Sequence, residues 1–157
     1  LKFNHRIPIS LYEFIRTGKF DYVKIGMRKE QLLQQFPDPE DWGMGTNQNT
    51  AKIWRYGNFE LHFQDQTLTM IFNDYFPEID GGEFLDIDGW ILTEKQSLLS
   101  VQAALNQSCI AYQTSPGQFD LVIIKILQSG VELFFYLEER NSSVDPNLYV
   151  LGAMSKK

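Results

Sequence analysis

The chain reads as an α+β fold: two tandem helix-plus-antiparallel-meander repeats in a two-layer sandwich, with the helices on one face of the sheet. Three observations predict it. From Ala51 to Asn73, three apolar, strand-forming runs are broken by Gly57-Asn58 and by Asp65-Gln66. Glycine and asparagine tolerate the positive φ that tight turns between antiparallel strands require, so this stretch is a three-stranded meander. Within it, Phe59, Leu61 and Phe63 alternate with Glu60, His62 and Gln64, which is the period of a strand with one face on a core. Finally, laying the chain on itself at an offset of 72 places Phe59-Glu-Leu-His-Phe63 over Val131-Glu-Leu-Phe-Phe135, and Gln31-Leu-Leu33 over Ala103-Ala-Leu105. A strand core and a helix core coincide at one offset, as a duplicated module requires. The repeats are placed at residues 10–76 and 90–155, joined by an acidic connector at 77–89, in a single domain spanning 1–157.

The elements follow in order. Residues 1–9 show no sustained period and form an arm. Ser10-Leu-Tyr-Glu13 is a capping box that opens a short helix with Leu11, Phe14 and Ile15 inward and Gly18 as its stop. A second helix places Met27, Leu32, Leu33 and Phe36 on one face, leaves Arg28, Lys29, Gln31 and Gln34 to water, and ends at Pro37. Residues 38–50 form a loop whose Trp42 folds back over a core edge, with a ligand-covering flap as the functional alternative. In the third strand of the meander, Leu68, Met70 and Phe72 share one face, opposite to Thr69, Ile71 and Asn73. The connector is rich in apolar residues, among them Ile79, Leu85 and Ile87, and is expected to pack. Thr93-Glu-Lys-Gln96 is a second capping box for a helix running to about Gln107, either continuous or broken at Ser100. Ile110 to Tyr112 is a short strand, Thr114 to Gly117 a turn, and strands cover 121–127, 131–137 and 148–154, the last two joined by a polar loop at 138–147. The core comprises Leu33, Phe59, Leu61, Phe63, Leu105, Val131, Leu133 and Phe135.

Composition narrows function. At 157 residues and 43% hydrophobic content the chain is long enough to bury a core without disulfides or metals. A net charge of −6 disfavours tracking of phosphates, so no nucleic-acid partner is expected. Cys109 is the lone cysteine, which rules out an internal disulfide and a CxxC site; a reducing compartment, the cytoplasm, is expected, with the thiol buried and inert. There is no run of eighteen or more apolar residues, and no membrane association is expected.

The run Ile25-Gly-Met-Arg-Lys-Glu-Gln-Leu-Leu33, followed by Ile53-Trp-Arg-Tyr56 and Phe59-Glu-Leu-His-Phe63, resembles the helix-plus-meander module of BamE/SmpA-type outer-membrane lipoproteins, and the first half also resembles a widespread group of uncharacterised bacterial proteins. Two such modules in tandem are similar in plan to the β-lactamase inhibitory protein fold. The chain departs from both groups, since Cys109 is internal rather than in a lipobox and has no second cysteine to pair with. The resemblance implies a fold and leaves function to the site.

Chemical signatures are sparse. His5 and His62 are the only histidines, and no phosphate-binding glycine loop or nucleophile elbow occurs. Asp86-x-Asp88-Gly89 resembles a fragment of a calcium loop but lacks the further acid and the spaced Glu, so no metal or cofactor is expected. The expected function is therefore a non-catalytic protein-binding module, of inhibitor or toxin-immunity type. It would use an open sheet face of Glu60, His62, Glu132, Phe134, Tyr136 and Tyr149 to hold a partner, with the acids steering a basic surface. The alternative is a small-ligand-binding protein or an enzyme with a pocket around Glu60, His62 and Trp54, flanked by Trp42.

Overall fold

The computed structural model describes residues 3–138 and 145–157. Strand β1 (Ile7–Ser10) runs into helix α1 (Leu11–Thr17), and helix α2 (Lys29–Gln35) precedes a meander of β2 (Asp41–Gly43), β3 (Ile53–Tyr56), β4 (Phe59–Gln64) and β5 (Thr67–Asn73). Strand β6 (Leu85–Asp88) and helix α3 (Leu98–Gln107) lead to a second meander, β7 (Tyr112–Pro116), β8 (Leu121–Ile126), β9 (Glu132–Leu137) and, after a 3-10 turn at Pro146–Leu148, β10 (Tyr149–Lys156). Eight strands make one antiparallel sheet in the order β2-β3-β4-β5-β10-β9-β8-β7, and β1 pairs with β6, parallel, apart from it.

One face of the sheet is buried. Trp54 and Tyr56 of β3, Phe59, Leu61 and Phe63 of β4, Ile124 and Ile126 of β8, and Leu133 and Phe135 of β9 join Phe14 of α1, Leu32 of α2 and Val101 and Leu105 of α3 in a single apolar cluster. Edge-to-face and tilted aromatic contacts link helix side to sheet: Phe14 to Phe20 and Phe20 to Phe59, with Phe36 against Tyr56 at 5.1 Å. Of the expected core, only Leu33 is partly exposed, because the two-turn α2 aims Leu32 at the sheet instead.

Local chemistry sets several boundaries. Ser10 caps α1 by accepting from the Glu13 amide at 3.2 Å, and Gly18 closes it at φ 78°. The Glu13 carboxylate does not reach back to the cap; it pairs with Arg16 at 2.7 Å. Gly57, at φ 58°, opens the β3–β4 turn, and any side chain there would run into the Asp80 carbonyl, so this glycine also lets the connector lie against the hairpin. Asn58 holds that approach, its amide donating to Asp80 and its side chain to Glu78.

The structure corrects several expectations. The N-terminal arm contains β1, which Ile7 and Ile9 anchor in the core opposite Leu85 and Ile87. The 38–50 loop contains β2, a three-residue edge strand. Thr93–Gln96 caps nothing. Ser97 accepts from the Ser100 amide at 3.1 Å, and α3 runs unbroken from Leu98 while the Gln96 side chain donates to the Ile91 carbonyl. The expected turn at Thr114–Pro116 is strand β7, and the chain reverses at 117–120 instead. A bulge where Phe63 meets Leu68 puts Leu68 inside and turns Met70 and Phe72 outward, so these three do not share a face. The polar loop expected at 138–147 falls mostly outside the described residues.

Cys109 is exposed rather than buried, and stands at φ 55° after α3. The Ile110 amide reaches back to the Leu105 carbonyl at 2.9 Å, the wrapping bond of a helix end that ordinarily places glycine where Cys109 stands. Cys109→Gly is expected to relieve the left-handed strain and stabilise the protein by about 0.5–1 kcal/mol. Chemical denaturation of both proteins measures it, and a destabilised variant would contradict the cap assignment.

Lys29 reverses the amphipathic reading of α2. It is 5% exposed, and its ammonium donates to the carbonyls of Ala51 (2.5 Å) and Asn49 (2.9 Å), 5.0 Å from the Phe63 ring and 5.3 Å from that of Trp54. With the Trp54 indole donating to Gln48 and the Gln66 side chain to Asn49, it fastens the loop before β3 to the core edge. Lys29→Ala should cost about 2–4 kcal/mol, through a cavity and an orphaned Ala51 carbonyl, and Lys29→Met, which keeps the stem, should cost less. Desolvation holds the Lys29 pKa below its ordinary 10.5. Because the folded value lies under the unfolded one, the charge burdens the fold at lower pH and is relieved as pH rises toward 10.5. The stability of the parent relative to Lys29→Met, from urea melts, is therefore expected to rise through that interval.

Candidate functional site

Register defines the other face of the sheet. Residues directly opposite one another in antiparallel strands point the same way. One row therefore crosses the whole sheet: Asp41, Arg55, Glu60, Phe72, Ser155, Glu132, Lys125 and Gln113. Beside it lie Ile53, His62 and Met70 in the first meander, and Ile123 and Phe134 in the second, with Tyr136 opposite Leu121 in the next row. The large apolar side chains of these rows are half-buried, and Tyr136 is 47% exposed. Five of the six residues expected on this face, Glu60, His62, Glu132, Phe134 and Tyr136, are on it.

Tyr149 is not. It stands opposite Leu137, on the helix side, where it lines an apolar groove with Leu98, Val122 and Pro116. The bulge in β10 around Gly152 shifts the register that strict alternation presumes. Trp54 is also on the helix side, fully buried, and Trp42 faces it across the β2–β3 pair. Neither indole joins Glu60 and His62. What adjoins His62 is an open groove of about 390 Å³ with Lys52, Ile53, Thr69, Met70 and Lys157 on its walls.

A chain of charges crosses the first meander. Arg55 Nη1 is 3.0 Å from Asp41, Arg55 Nε is 3.3 Å from Glu60, and the other Glu60 oxygen is 2.7 Å from His62 Nε2. The hydrogen bond to Asp41 does most to raise the Arg55 pKa, desolvation opposes it, and Glu60 adds to the rise. The His62 ring stands edge-on to Phe72 at 6.2 Å. Glu60 is thereby held by two partners, which makes it a positioned acceptor. In the second meander, partial burial and then the charge of Asp74 raise the pKa of the Tyr136 phenol, which stays protonated and able to donate. Sequence reasoning missed Arg55, Phe72, Met70 and Ile123. The first and last were legible as cross-strand neighbours of Glu60 and Phe134, whereas Phe72 and Met70 depend on the bulge.

The centre of the row holds an anomaly. Ser155, 3% exposed between Phe72 and Glu132, has a buried hydroxyl without a hydrogen-bond partner among the described residues. An unsatisfied buried hydroxyl carries a desolvation penalty that a methyl group does not. Ser155→Ala is expected to be neutral or stabilising by up to about 1 kcal/mol in urea unfolding. A clear loss of stability would mean that the hydroxyl has a partner in solution.

No protein-family model, no characterised protein and no solved structure matches this chain.

Proposed function

We propose that this is a non-catalytic protein-binding module, of the kind that inhibitors and toxin-immunity proteins represent, and that it holds its partner on the sheet face opposite the helices. The observation that carries the reading is the composition of that face: Phe72, Phe134 and Tyr136, half-buried to exposed, sit among Ile53, Met70 and Ile123, with the carboxylates of Glu60 and Glu132 in the row between. Aromatic side chains with a polar tip supply large contact area at low entropic cost, and carboxylates beside them favour a basic partner surface. The broad exposed rows and the open groove beside His62 suit a protein surface better than an engulfed small molecule. The partner class is thus a protein, with basic groups opposite Glu60 and Glu132.

The breadth of the face is accounted for if the chain is a tandem duplication of one module on the BamE/SmpA-like plan. Supporting this, the two meanders run in mirrored order to meet at β5 and β10, and the offset of 72 carries β2 into β7, β4 onto residues 131–136 and α2 onto the last seven residues of α3.

The test is a double substitution, Phe134→Ser with Tyr136→Ser, compared with the parent in pull-downs from native lysate and in thermal melts. The fold should persist, since neither side chain belongs to the helix-side cluster, while partner retention falls at least about tenfold, as loss of central aromatic anchors does. Unchanged retention by a folded variant would refute the reading. If that variant unfolds, Glu60→Lys with Glu132→Lys gives the same decision through charge alone.

A further inference from the structure

Strand β7 ends the sheet, and among the described residues no strand pairs with it on the side away from β8. At one end of the β7–β8 ladder the Gly117 amide donates to the Leu121 carbonyl (2.6 Å), and at the other the Leu127 amide donates to the Ala111 carbonyl (3.0 Å). Bonded pairs alternate along an antiparallel ladder, so Gln113 and Ser115 direct their backbone groups to β8. The amide and carbonyl of Tyr112 and Thr114, and the carbonyl of Pro116, therefore point away from the sheet. Pro116 falls at a position where its missing N–H breaks no bond to β8.

We infer that a second copy of this chain pairs with the first along β7, antiparallel and centred on Thr114. In that register each Thr114 amide meets the Thr114 carbonyl of the other copy, and each Tyr112 amide meets the other copy's Pro116 carbonyl. Every outward N–H of the strand then has an acceptor, and the donor that Pro116 lacks leaves only the Tyr112 carbonyl to water. Charge favours the same seam: Tyr-Gln-Thr-Ser-Pro has no ionised side chain, so two chains of net charge −6 meet where like charges are absent. The opposite edge, β2, is three residues long and presents Asp41.

Helix α3 supplies an independent observation. Gln102 donates to the Thr114 hydroxyl at 3.1 Å, which sets this side of the helix over β7. Leu99, three residues earlier on that side, is 44% exposed, and Ala103 beside it is exposed as well. Pairing of β7 with its copy brings the two α3 helices alongside each other, with Leu99 turned toward the seam. The site is separate from the sheet face proposed above and survives its loss.

Sedimentation equilibrium of the full chain decides the matter. A mass twice the 18.3 kDa of the single chain is expected, dissociating on dilution, with amide exchange at Tyr112 and Thr114 slowing as concentration rises. Thr114→Pro removes an outward donor without touching the bonds to β8, and Leu99→Lys sets like charges across the seam; each should weaken association at least about tenfold. Thermal melts check that both variants fold, and Leu99→Lys decides alone if Thr114→Pro does not. A single-chain mass at every concentration, or a dimer indifferent to Leu99→Lys, overturns the inference. So does a dimer lost in the Phe134 and Tyr136 double variant.

Discussion

The contact between β5 and β10 is the constraint on which the architecture rests. Asn73, Phe72 and Ile71 pair with Met154, Ser155 and Lys156, and this short ladder makes one eight-stranded sheet of two four-stranded meanders. It also sets which residues face which way. With Ile71 and Met154 turned to the helices, Phe72 and Ser155 are necessarily turned away, and the row from Asp41 to Gln113 becomes continuous. A slip of one residue here would send every side chain of one half to the wrong face. Asn73, buried at the junction, anchors β5 to its own meander: its side chain donates to Asn58 at 2.8 Å and accepts from the Tyr75 amide at 2.8 Å. A shift of β5 against the β3–β4 turn would leave those groups unsatisfied, so the edge offered to β10 is held in place.

Two cations illustrate how differently the faces treat charge. Arg55 lies on the solvent side between two carboxylates, where the pairs contribute little stability and chiefly orient Glu60. Lys29 lies at the helix-side edge with carbonyls and aromatic faces for company. Its role is to hold the loop before β3 in place, and the low-dielectric surroundings that lower its pKa also strengthen its hydrogen bonds. One charge is placed for recognition and the other for architecture.

Where the local signal was strong, sequence reasoning reached the structure. The Ser10 cap, the Gly18 stop, the Gly57-Asn58 turn and the alternation of β4 and β9 each depend on a few adjacent residues. The misses share a cause in distant contacts. Ile7 and Ile9 become a strand because Leu85 and Ile87 come alongside, seventy-eight positions downstream. Lys29 is buried because carbonyls about twenty residues later converge on it. The bulges at Thr69 and Gly152 flip Met70, Phe72 and Tyr149 against simple alternation, and composition does not announce a bulge. The second capping box failed for a nearer reason: Ser97 competes for the same helix start and wins, while Gln96 is engaged by the Ile91 carbonyl.

The place of β10 bears on how the chain reaches this fold. It is the last of the described strands in sequence and yet lies in the middle of the sheet. A growing polypeptide that has completed β9 holds two separate half-sheets, and the bare edges of β5 and β9 are lined by Ile71, Phe72, Phe134 and Phe135. Edges of that kind recruit foreign strands readily. The interval on the ribosome before Tyr149 emerges is therefore the one in which this chain is most exposed to aggregation, and insertion of β10 closes both edges in a single event.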